Sequence, residues 1–320
     1  MNKAEIEKLL SNYKSFKDTL NSSSNPKLLL EKYLLEKLNF EFDYNQEIPY
    51  LLTNFDRLRS CFDLNSNIKE YEFYAYVIAD KINSILESIL LITNSLQKET
   101  TSELSQKSYI DFNTVKILCR SVLESFLVFN YIFVQPKENE EKEFYFNLWY
   151  FADLMGMNKK RTFAEMSEDP DVKKLKIIQE EFENERKFKF INSKFFDLLP
   201  QKQKDAIVKR GDYKINYKWP ELASKAGFNS VWFKSYYFKL SSYTHSGSYS
   251  ILSDLGSTYK LKLKFLELEL QTMTIIYSLF ILDFVSVFPK LESHFTNFSE
   301  FKGKVCEYMD TAFLEKIKNN

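Results

Sequence analysis

Glycine and proline are scarce in this chain of 320 residues, with 6 Gly and 7 Pro, about a third of average usage. So few glycines leave no Gly-x-Gly-x-x-Gly dinucleotide fingerprint and no phosphate-cradling loop. Net charge is also missing, because 44 Lys and Arg balance 44 Asp and Glu. A protein that binds nucleic acid through counterion release carries a basic excess, so such a role would need a local patch. Histidine occurs twice and cysteine three times, as Cys61, Cys119 and Cys306. Their spacing fits neither a zinc site nor a disulfide framework, so no metal or cofactor is expected and a reducing cytoplasm is. The opening residues Met1 to Glu7 lack an apolar core, so no signal peptide is expected there. The most apolar run, Met273 to Phe288, falls short of the ~20 residues of a membrane span. It also carries Asp283, which is costly in lipid, so it reads as a core helix and no membrane is expected.

Large rings are abundant, with 30 Phe, 20 Tyr and 3 Trp, 17 % of the chain. Few turn-formers and many rings predict long helices around a thick core. Apolar periodicity near 3.6 predicts an all-α multi-helix bundle with long central helices over about 67–97, 108–134 and 258–288. Further helices are expected over 3–20, 26–39, 47–61, 138–155, 170–191, 201–210, 220–226, 230–245 and 299–318. Asp169-Pro170 is a good N-cap and first-position pair. Gly156, Gly211, Gly227 and Gly247 sit where helices should stop. Tyr213 to Tyr217 could extend briefly, and His294 is expected in a loop. Two units are expected: a helical segment over 1–60 and a main domain over 61–320.

Charge is uneven along the main domain. Residues 158–225 form a basic insertion, with Lys159-Lys160-Arg161, Arg186-Lys187-Phe188-Lys189 and Lys209-Arg210. One reading is a basic groove for RNA or DNA with interleaved aromatics. The other is a solvated helical surface whose lysines pair with glutamates at helical spacing.

One polar constellation stands out. Arg120 and Glu124 lie four apart on an otherwise apolar helix, so they share a face and must be paired or reach a cleft. Ser241 and His245 are likewise four apart, with the imidazole at its helix's C-terminal end, where the macrodipole favours the charged form. Three readings follow: a solvated stripe, a structural network between helices, or a catalytic or binding site. Cys119 beside Arg120 reads as a buried, inert thiol.

The Arg120-x-x-x-Glu124 helix, the Trp219-Pro220-Glu221-Leu222-Ala223 stretch and the Tyr237-x-x-x-Ser241-x-x-x-His245 segment resemble a bacterial helical family defined by a domain of unknown function. The likeness covers about 75–255 and implies that Arg120, Glu124, Ser241 and His245 belong together. A looser similarity is to HEPN helical ribonucleases and defence proteins, which carry an Arg four to six residues before a His. Here position 239 is Lys, so Arg120 would have to meet His245 across two helices. That similarity implies RNA processing or phage defence, with His245 as general acid or base and Arg120 stabilising phosphorane charge. The alternative is a non-enzymatic scaffold or interaction module, or a homo-oligomer. Its protein partner would dock on the aromatic helices 138–151 and 231–243.

Overall fold

The computed structural model describes residues 43–64, 68–99, 112–159, 169–215, 217–228, 230–245 and 259–310. Helices expected over 3–20 and 26–39, Gly247 and Lys160-Arg161 lie outside these residues. Among the described residues the fold is all helical, without strands. The helices are α1 (Tyr44–Ser60), α2 (Glu70–Glu99), α3 (Phe112–Phe129), α4 (Asn139–Lys159), α5 (Pro170–Ile191), α6 (Lys194–Asp197), α7 (Gln201–Arg210), α8 (Trp219–Lys225), α9 (Ser230–Thr244), α10 (Tyr259–Val287), α11 (Glu292–Asn297) and α12 (Ser299–Asp310).

The long central helices form as the periodicity predicts, as α2, α3 and α10. Helix α3 turns Val115, Cys119, Val122, Leu123 and Phe126 inward. Helix α10 runs through the main core beside α1, α3 and α12. There Phe55 of α1 meets Tyr277, Phe280 and Phe284 edge-on at 5.0–5.8 Å between ring centroids. Phe129 of α3 packs on Phe280 at 5.0 Å. Each such ring, fully buried, contributes about 2–3 kcal/mol of transfer free energy. Helix α1 thus belongs to the same core as α2, α3 and α10.

Two described helices, Phe112–Val134 and Leu261–Val287, are long and apolar enough to cross a membrane. The second extends the short run expected around Met273 to Phe288. Most of each apolar window is buried inside the bundle, as in a core helix.

A second, smaller core joins α4 to the basic segment. Phe144, Leu148, Phe151 and Met155 pack with Phe190, Phe196, Ile207 and Ile215. Asp169 caps α5 by accepting from the Asp171 N–H at 2.9 Å, as the Asp-Pro pair predicts. Helix α7 ends at Gly211 in the left-handed region (φ 69°). A Cβ there would meet Met155 Cε at 2.7 Å, so the turn also needs glycine for its close approach to α4.

Three expectations are corrected. Gly156 does not stop its helix, because α4 continues to Lys159 and glycine inside a helix costs only about 1 kcal/mol. His294 is not in a loop but in the short helix α11. Tyr213 to Ile215 form a turn rather than an extended piece, and Ile215 has φ 52°.

Part of the basic segment is paired with carboxylates of its own or of neighbouring helices. Lys176 and Glu180, Lys189 and Glu185, and Lys209 and Asp205 make i,i+4 pairs, and Lys194 bonds Glu138 and Glu140 of the α4 start. Arg186 is only 3 % exposed. Its guanidinium forks onto Glu70, bonds the Asn147 Oδ1 at 3.0 Å and lies 4.5 Å from the Tyr150 ring centroid. It clamps α5 to α2 and α4, and is no part of an exposed basic groove.

Candidate functional site

Helices α3 and α9 pack antiparallel. Lys116 lies over the Tyr243 ring, Arg120 meets Ser241 and Tyr237, and Glu124 meets Tyr237, so rising numbers on α3 face falling numbers on α9. The contact exists because α3 buries Val115, Cys119, Val122, Leu123 and Phe126 and α9 turns Phe233, Tyr236, Leu240 and Tyr243 inward. Polar residues of both helices are left along the seam.

Four of those residues form one network. Arg120 Nε donates to Glu124 Oε1 at 2.8 Å, Nη2 donates to the Tyr237 hydroxyl at 3.0 Å, and Nη1 donates to Ser241 Oγ at 3.4 Å. The Tyr237 hydroxyl in turn donates to the same Glu124 Oε1 at 2.6 Å. Burial, then the Glu124 carboxylate, push the Tyr237 phenol up to about 12, so it stays a donor near neutral pH. The Arg120 side chain is 16 % exposed and that of Glu124 29 %.

His245 does not join this network. It is exposed, just past the end of α9, and its backbone N–H donates to the Ser241 carbonyl at 3.2 Å. The antiparallel register carries it one turn beyond Ser241, about 6 Å at the helical rise, away from Arg120. Among the described residues no hydrogen bond or ion pair links its ring to Arg120, Glu124 or Ser241. Arg120, Glu124 and Ser241 therefore meet, as the resemblance implies, and His245 stands apart. Tyr237 is the member that spacing alone did not single out, although it lies four residues before Ser241.

Cys119, on the inner side of α3, is fully buried, and burial, followed by the nearby Glu269 carboxylate, pushes its thiol well up. It is inert, as expected. All three cysteines are free. Among the described residues no cluster of His, Cys, Asp and Glu could hold a metal.

The network borders a cleft of about 350 Å³ bounded by α2, α3, α4 and the turn into α8, and Glu124 lies in its wall. Trp149, Tyr213 and Trp219 give it aromatic sides, and Lys81 and Ser121 its polar ones. Trp219 packs against Tyr237, with ring centroids 6.2 Å apart. The Lys214 ammonium lies 4.5 Å from the Trp219 centroid. Burial, then Glu124, raise the Tyr213 phenol to about 12. Both donors on Glu124 use Oε1. Among the described residues Oε2 accepts no hydrogen bond, so the carboxylate is held by one oxygen with the other still able to accept. A larger cleft of about 680 Å³ lies between α1 and the α11–α12 turn and contains none of these residues.

Sequence likeness places the site within a wider group. The model of a family of unknown function, DUF5677, matches residues 99–259, a span that holds the whole α3–α9 network. No curated protein matches the chain, and no solved structure does.

Proposed function

The chain belongs to that family of unknown function, and we propose that it is a helical ligand-binding module whose site is the cleft beside Glu124. The reading rests on one observation: Arg120 and Tyr237 fix Glu124 through a single oxygen, and Glu124 lines an aromatic-walled cleft. A network that only stapled α3 to α9 would gain nothing from a half-satisfied carboxylate at the mouth of a cavity, whereas a binding site needs one fixed polar group among apolar walls. Arg120 and Ser241 are positioning residues here, and Tyr237 orients the carboxylate.

RNA processing or phage defence is the second reading. The exposed ring of His245, at the end of the stripe that carries Tyr237 and Ser241, favours it. Against it, Arg120 already commits three donors within the protein and meets no imidazole. Lys239, where the HEPN pattern would want Arg, is bonded to Glu269. For a protein-docking role on the aromatic helices, Val231 and Phe238 of α9 are exposed, whereas Phe144, Phe146 and Phe151 of α4 are interior. The free cysteines support a reducing compartment such as the cytoplasm.

Tryptophan fluorescence tests the choice, since Trp149 and Trp219 line the cleft. We expect planar probes bearing N–H groups to change the emission of wild-type protein, and Glu124→Gln to weaken that binding about tenfold. Labelled single-stranded RNA should stay intact with wild-type protein and with His245→Ala alike. RNA cleavage that disappears in His245→Ala would replace the binding reading with the hydrolytic one.

A further inference from the structure

We propose that the cleft takes a guanine nucleotide, either free or as an unpaired residue of an RNA strand; this deepens the binding reading above and rests on it. Four properties of the site select the ligand. The volume, about 350 Å³, is at the low end of small-molecule pockets (~300–1,000 Å³), so it suits one nucleotide unit rather than an extended chain. Its walls carry Trp149, Tyr213 and Trp219, and ring walls favour a flat aromatic guest.

The third property is the single acceptor. Glu124 Oε1 already receives the Arg120 Nε and the Tyr237 hydroxyl, which fills both of its lone pairs. Oε2 keeps two, so it can take two converging N–H donors. The guanine edge presents N1–H and N2–H side by side. Adenine places a ring acceptor beside its amino group, and that acceptor would be left against a carboxylate. A carboxylate acceptor therefore discriminates between the two purines, as a site built to meet particular N–H groups rejects an analogue that lacks them.

The fourth property is charge. An organic cation would also like rings and a carboxylate, but Arg120 already neutralises Glu124 at 2.8 Å. Lys81, an exposed rim residue, adds a positive charge and makes no ion pair among the described residues. A neutral base with an anionic tail fits that balance: the ring sits between the aromatic walls, its N–H edge bonds Oε2, and its phosphate reaches Lys81.

Tryptophan emission of the full chain, titrated with GMP, AMP, guanosine, benzylamine and a pentanucleotide RNA holding one guanine, tests this. GMP should bind about tenfold more tightly than AMP. Glu124→Gln should erase that preference. Lys81→Ala, at an exposed position that leaves folding intact, should weaken GMP several-fold and leave guanosine unchanged. If the RNA binds more tightly than GMP, the guanine belongs to a strand; if it binds more weakly or equally, to a free nucleotide. Equal binding of GMP and AMP overturns the guanine assignment. So does Glu124-dependent binding of benzylamine with no response to GMP, which leaves the binding module standing. Silence toward every probe at millimolar concentration removes both.

Discussion

Lys239→Ala is expected to lower the unfolding free energy by about 3–5 kcal/mol. Its ammonium lies 2.6 Å from Glu269 Oε2, and the Glu269 side chain is only 1 % exposed. The Tyr236 hydroxyl donates to the other oxygen of Glu269, and Tyr236 is itself buried in the core. Removing Lys239 leaves a carboxylate in the interior with one neutral donor, and an interior charge without its partner carries most of its desolvation cost. Replacing the pair together, as Lys239→Met with Glu269→Leu, should recover only part of the stability, since an apolar pair substitutes for the ion pair but leaves the buried Tyr236 hydroxyl without its acceptor, at about 1–3 kcal/mol. Urea unfolding of the single and double variants checks both results. A single variant as stable as wild type would mean that the Glu269 carboxylate does not depend on Lys239 for its place in the interior.

Asp283→Asn should do the opposite and stabilise the protein near pH 8, by about 2 kcal/mol. Asp283 is the one carboxylate in the apolar run of α10. Burial raises its carboxyl to about 6, only partly offset by the hydrogen bond from Asn130, which is 2.6 Å long. A folded-state value above the unfolded one means that the protonated group favours the folded state. That contribution is full below the unfolded value near 4 and is lost as pH rises through 6. At pH 8 the wild-type protein therefore holds a poorly solvated charge that the isosteric amide removes, while the carbonyl oxygen of that amide can still accept from Asn130. The difference between variant and wild type should close as pH falls toward 4. Thermal melts of both proteins from pH 4 to 8 measure it, and a gap that does not vary with pH would show that the carboxyl titrates normally.

The same group explains a feature of α3. After Phe129 the helix widens into a π-turn over Asn130–Val134. The Gln135 N–H bonds the Asn130 carbonyl at 2.9 Å, and the Gln135 side-chain amide bonds Asn130 Oδ1 at 2.8 Å. Asn130 is thereby turned to face Asp283. Nothing in local sequence marks such a turn, because its partner lies 153 residues further on.

Local chemistry was readable in the same uneven way. Pro170 with Asp169, and Gly211, set their helix boundaries because a cap is a decision of a few neighbouring residues. Gly156 misled because glycine permits a stop without enforcing one, and packing of Phe151 and Met155 carries α4 past it. His294 misled because a helix as short as α11 leaves little periodicity to detect.

Within the site, Arg120 with Glu124 and Ser241 with His245 were legible as i,i+4 pairs on two helices, whereas Tyr237 was not singled out by spacing. Their meeting depends on the antiparallel register of α3 and α9, which sequence spacing does not encode, and that register is what leaves His245 beyond the network. Lys81, Trp149 and Tyr213 come from three separate elements and share no pattern. Arg186 looked like one of a run of surface charges, yet Glu70, 116 residues away, draws it inside.

On the proposed reading, the α3–α9 network aims Glu124 into the cleft. Tyr237→Phe tests it most directly, because it removes only the hydroxyl that donates to Glu124 Oε1 and accepts from Arg120, and the ring still packs on Trp219. The measurement is the dissociation constant of a cleft ligand, read by tryptophan emission, beside the melting temperature. Binding should weaken about tenfold, with a small change in melting. Unchanged affinity with a lowered melting temperature would contradict it, and would make the network a staple between two helices.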